Sequence, residues 1–210
     1  MIKFHHIHFR CGMLLSVLMY SAVSSCGELV PNDPIEYQRL LEDVHNGMTK
    51  EKTLNDVTLK LQYQPPELRA LIDANGRSES YIESLKHYED QMSFVLIVGS
   101  KEEEQDILAK DLQGLEEYQR RVLLLNFEIK DYITLEAGNI RMKPVLGTME
   151  NTYGLSTGRK LILVFAGNPE DVLQGNSEFD IIFNDPVFGT GINRFRYNTS
   201  DILDAPIPQT

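Results

Sequence analysis

Alternation of apolar and polar side chains is clearest between Leu54 and Gln64. There Val57, Leu59, Leu61 and Tyr63 fall on one side of an extended chain, and Thr58, Lys60, Gln62 and Gln64 on the other. A period of two marks a strand buried on one face. Pro65-Pro66 ends it and opens a short helix, Glu67 to Asp73, closed by Asn75-Gly76. Upstream, Asp33-Pro34-Ile35-Glu36 supplies an N-cap, a proline at the first helical position and an acid at the third. With Ile35, Leu40, Leu41 and Val44 as the apolar stripe, a first helix is expected over 34–46, stopping at Gly47. Ser78 caps a further helix to about Asp90 that carries Tyr81, Ile82, Leu85 and Tyr88. Ser93 to Val98 is a continuous apolar run, expected as a buried strand that ends at Gly99-Ser100.

The stretch 101–120 is acid-rich, and Glu102, Glu103, Glu104 and Asp106 sit where a helix N-terminus favours negative charge. A solvated helix face is the expectation, ahead of a cation-binding run. From Arg121 onward the pattern becomes a series of short apolar segments: Val122 to Ile129, Tyr132 to Glu136, Ile140 to Leu146, Leu161 to Phe165, Phe179 to Phe183 and Phe195 to Asn198. Turn formers separate them, among them Gly138-Asn139, Gly167-Asn168-Pro169, Asn184-Asp185-Pro186 and Gly189-Thr190-Gly191. No helix of crossover length intervenes, which argues against a parallel doubly wound sheet and for an antiparallel sandwich. The expected fold class is therefore α+β. A mixed helix and strand part over 34–120 is followed by an antiparallel β-sandwich over 121–205, with an immunoglobulin-like arrangement as one candidate. The tail, 206–210, should be extended and loosely held.

The N-terminus has a different character. Lys3 and Arg10 precede an uncharged stretch from Cys11 to Ser25 containing Met13, Leu14, Leu15, Val17, Leu18 and Met19. This is the charged region and apolar core of an export signal, too short to span the roughly 30 Å of a bilayer. It closes on Ala22-Val23-Ser24-Ser25-Cys26-Gly27, which resembles the lipobox of bacterial lipoproteins, with Val23 and Ser25 as tolerated variants of the commonest form. The resemblance covers these residues only. It implies cleavage after residue 25, acylation of Cys26, a tether over 26–33 and a membrane held through the N-terminal lipid. Gly27, rather than Asp, after Cys26 implies the outer membrane of a two-membrane cell, facing either the periplasm or the outside. An ordinary signal peptide cut nearby is the alternative. Against it stands the cysteine count: Cys11 leaves with the signal, so Cys26 has no partner for an internal disulfide.

Removing residues 1–25 leaves 18 basic against 31 acidic side chains, a net charge of −13. Such a surface repels phosphate backbones and argues against a nucleic-acid partner. Candidate chemistry is sparse. His5, His6 and His8 belong to the signal, and His45 and His87 are expected at helix ends, away from any Gly-x-Ser-x-Gly elbow. Gly189-Thr190-Gly191 lacks the third glycine of a dinucleotide loop, because residue 194 is Arg, and is read as a tight turn. Asp180, Asp185, Asp201 and Asp204 lie close together in the sequence and could bind calcium, but lack EF-hand spacing. Tyr132, Tyr153, Phe188 and Phe195 could form a sugar platform, or serve as core. No catalytic, cofactor-binding or metal-binding residue is therefore assigned, and no cofactor is expected. The expected function is a non-catalytic binding or assembly module of the cell envelope, with other envelope proteins as partners. The alternative is a carbohydrate-binding or carbohydrate-active accessory with a glycan partner.

Overall fold

The computed structural model describes residues 31–74, 77–101, 106–151 and 156–208. The export signal, Cys26 and most of the tether lie outside the described residues. Helix α1, Pro34–Glu42, starts as its sequence requires: the Asp33 carboxylate accepts from the backbone N–H groups of Ile35 and Glu36 at 2.9 and 3.0 Å. It ends earlier than expected, because Asp43 is extended and caps a separate single turn, Val44–Asn46. Tyr37 and Leu41, one helical turn apart, are its buried residues.

Strand β1, Thr49–Leu54, and strand β2, Val57–Gln64, form a hairpin through Asn55-Asp56, with Asn55 in the left-handed region. Helices α2, Pro66–Ala74, and α3, Ser78–Tyr88, pack together and lead into strand β3, Gln91–Ser100. Strands β4, Ile133–Ala137, and β5, Ile140–Met142, follow, then β6, Leu146–Met149, and β7, Arg159–Ala166. Short helix α5, Pro169–Leu173, precedes strands β8, Glu178–Asn184, and β9, Ile192–Asn198. Short helix α6, Thr199–Leu203, closes the order. The fold is α+β with two antiparallel sheets, in the orders β1-β2-β3-β7-β6 and β5-β4-β8-β9. The larger sheet crosses residue 121, since β3 pairs with β7 from Gln91↔Ala166 to Val98↔Arg159.

The sheets face each other across one apolar core. Phe94 of β3 lies at its centre, with the rings of Tyr63, Phe165, Phe179 and Tyr197 at centroid distances of 5.3, 6.0, 6.4 and 5.6 Å. The Tyr197 hydroxyl crosses from β9 to donate to the Leu61 carbonyl of β2 at 2.8 Å. At the open edge, β1 turns Lys50 and Lys52 inward, opposite Leu61 and Leu59 in the register. Their ammonium groups lie 5.3 Å above the Tyr197 and Phe195 rings. Inward-pointing lysines on an edge strand blunt its tendency to pair with another chain.

Three further expectations change. The segment 122–129 is not a strand: helix α4, Leu115–Leu123, runs on as a wider turn, Leu124–Glu128, and a tighter one, Ile129–Tyr132. Its buried residues, Arg121, Leu124, Leu125 and Ile129, recur at helical spacing, a period hidden by the continuous run Val122 to Leu125. Arg121 secures it by donating to the carbonyls of Leu108 and Lys110 at 3.2 and 2.6 Å and to Glu117 at 2.7 Å. The expected strand 140–146 divides between the two sheets at Lys143-Pro144, where proline offers no N–H to continue a ladder. The tail is docked: the Tyr37 hydroxyl donates to the Pro206 carbonyl at 2.5 Å, and Pro208 is buried.

Candidate binding site

Two of the clefts among the described residues lie beside the core, on either side of helix α2. The first is on the face of the larger sheet turned away from the smaller one. In register there, Thr49, Gln62, Val95, Ile162 and Thr148 form one row across the strands, with Lys60, Ile97 and Lys160 in the next. Gln38 of α1 and Arg69 and Ile72 of α2 stand over this face, and Glu150 follows β6 at the other side. These helix and strand-end residues, with Gln62, Gln64, Val95, Ile97, Lys160 and Ile162 of the sheet, line about 200 Å³. The floor is aliphatic apart from Gln62, and Gln38 and Gln64 add amides at the walls. Gln62 is 1% exposed, yet its Nε2 has no hydrogen-bond partner among the described residues. A buried amide donor without a partner costs free energy, and native structures hold few of them.

The charges around this cleft are already engaged. Lys160 Nζ lies 3.8 Å from Glu150, and the Arg69 guanidinium lies 5.4 Å over the Tyr88 ring, whose hydroxyl donates to Asp73.

The second cleft, about 260 Å³, lies where α2, α3, α5, α6 and the tail meet. Tyr63, Leu85, Ile202 and Ile207 supply apolar surface, and Glu67, Glu89 and Glu170 its acidic groups; no basic residue is among the described lining. Glu67 stands in the first turn of α2 directly before buried Leu68, and burial pushes its carboxyl above the ordinary glutamate range. Burial and then this neighbouring carboxylate raise the Tyr63 and Tyr81 phenols.

The residues singled out in the sequence lie elsewhere. Cys26 is outside the described residues. His45 is exposed with Nδ1 2.8 Å from Asp43, and His87 is exposed near the end of α3. The four aspartates are not gathered. Asp180 is held by Arg194 at 2.6 Å and by Arg196 at 3.1 Å, and these bonds outweigh burial to keep its carboxyl below the ordinary range. Asp185 organises the β8–β9 loop by accepting from the N–H groups of Val187, Phe188 and Thr190 and from the Thr190 hydroxyl. Gly189 and Gly191 of that loop have φ of +73° and +72°, a tight turn as expected. Asp201 accepts from Asn198 at 2.9 Å, and Asp204 is exposed. Among the described residues no three His, Cys, Asp or Glu side chains are placed to share a metal ion. Tyr132 and Phe188 pack half-buried on the core and Phe195 lies inside it, while Tyr153 is outside the described residues.

Sequence reasoning placed Gln62 on the polar face of β2 and stopped there. The signal it lacked was that the flanking helices need a sheet surface to cover. Among the described residues, no helix is long and apolar enough to cross a membrane.

No family model and no curated protein matches the chain. A solved structure of a protein of unknown function from Burkholderia pseudomallei is similar over 83% of this chain and 92% of that one, at 11% identity and a TM-score of 0.34.

Proposed function

We propose that this chain is a lipid-anchored envelope protein, held through acylated Cys26, that works as a non-catalytic docking module. Its end cleft receives a positively charged, partly apolar segment of another envelope protein. The observation that carries the reading is the pairing of an apolar floor with Glu67, Glu89 and Glu170 and no basic counterpart in the described lining. Opposite charge in a partly dry cleft steers encounter and selects partners, while the apolar contact supplies affinity. The lipobox supports the anchor. Acyl chains contribute roughly 0.8 kcal/mol per buried methylene, so several chains hold a domain stably.

Crosslink mapping of the membrane-bound protein in its native cells tests both halves. The Cys26→Ser variant is expected in the soluble fraction, and the wild type is expected to crosslink from the end cleft to lysine- or arginine-rich partner segments. Glu89→Lys with Glu170→Lys should reduce those crosslinks about tenfold or more. Crosslinks concentrated elsewhere on the molecule would sink the docking half, and a membrane-bound Cys26→Ser protein would sink the anchor.

A further inference from the structure

We propose that the cleft over the outer face of the larger sheet is a second, separate site, and that its ligand is one ring of an uncharged saccharide. The Gln62 Nε2 marks it. Gln62 stands on β2, next to the edge strand, and is among the residues that line the cleft. Its side chain is buried and its Nε2 has no partner among the described residues, so an acceptor reaches it when the side chain turns toward the cleft. An amide so placed is satisfied by a ligand atom that accepts a hydrogen bond.

The surroundings narrow the ligand class. Glu150 offsets the charge of Lys160 at 3.8 Å, which leaves Arg69, stacked on Tyr88, as the one unbalanced charge of the described lining. The cleft therefore has no cluster of like charges to select an ionic ligand. Val95, Ile97 and Ile162 offer an aliphatic floor, and Gln38 and Gln64 add amide groups at the walls. The ligand therefore needs an apolar flat side and a polar edge, which is the make-up of a sugar ring with its C–H face and its hydroxyls. A hydroxyl both donates and accepts, so it can pair with a glutamine side chain in either orientation of the amide. The enclosed volume of about 200 Å³ is below the roughly 300–1,000 Å³ typical of drug-sized ligands, which fits a single ring with the remainder of a glycan outside.

The test is a titration of the full-length protein, held in a detergent without a sugar headgroup, with a panel of neutral mono- and disaccharides. The readout is the side-chain amide resonance of Gln62 in a nitrogen-proton correlation spectrum. At least one sugar is expected to shift that resonance saturably. The Gln62→Leu variant should bind it tenfold or more weakly while melting no lower than the wild type, since it removes an unpaired buried amide. Should Gln62→Leu fail to fold, Gln38→Ala at the wall is expected to weaken binding without altering the melt. The proposal is overturned if no sugar binds more tightly than about 10 mM, or if Gln62→Leu and Gln38→Ala bind as the wild type does. It is overturned equally if the resonance responds only to blocked dipeptides, because the cleft then recognises peptide.

Discussion

At the scale of single residues, Phe94 has the widest reach. Its ring touches aromatic neighbours from both sheets, so it joins the two layers as well as filling space between them. Truncation would leave a cavity walled by rings already fixed by other packing and poorly able to collapse. Phe94→Ala is expected to cost about 3–5 kcal/mol in urea unfolding, against less than about 1.5 kcal/mol for Phe94→Leu with repacking. Similar costs for the two would mean that the rings close over the gap. Gln62 shows the opposite situation, a buried residue whose local contacts leave it incomplete.

At the scale of elements, β2 and β9 were legible because one face of each is buried and the other is polar, so hydrophobicity repeats every second residue. Strand β1 escaped notice because Thr49 to Thr53 contains no apolar residue: an edge strand places lysines where an inner strand would place leucines. The first part of helix α4 lies in the stretch 101–120, where a helix is expected; its continuation past residue 121 escaped because the uninterrupted run Val122 to Leu125 fits a strand as readily as a helix. Only the tertiary contacts of Arg121 settle which wins. Arg121→Ala should cost about 1–3 kcal/mol, since the Leu108 and Lys110 carbonyls lose their donor. Arg121→Lys should recover only part of this, because one ammonium cannot reproduce the guanidinium fork. Hydrogen exchange over residues 115–132 would place the loss. The clefts were the least legible part of the chain. Gln62 and Glu67 are ordinary polar residues of a strand and a helix until α1, α2 and the tail fold across them.

At the scale of the whole molecule, two carboxyls shift in opposite directions and so shape stability against pH. Asp180 is held below the ordinary range in the folded state. Its contribution is therefore present above the unfolded aspartate value, about 3.9, and is lost as pH falls through its lower folded value. Glu67 is raised in the folded state, so the contribution of its protonated form is lost as pH rises through that raised value. At pH 7, Asp180→Asn is expected to lower the urea midpoint and Glu67→Gln to raise it. Below pH 3 both differences should shrink. Shifts of the same sign at pH 7 would show that packing, not charge, governs one of the two sites.

The hydrogen bond from Tyr37 to Pro206 joins positions 169 residues apart and brings the start of the folded chain and its tail to one pole of the molecule. Ile207, beside that bond, also lines the acid-rimmed cleft. With acyl chains on Cys26, the seven residues from 27 to 33 could lift that pole by no more than about 25 Å. The cleft would then face the bilayer at close range. Its counterpart would have to be a juxtamembrane stretch, and a reporter fused to the C-terminus would sense the lipid surface rather than the space beyond it.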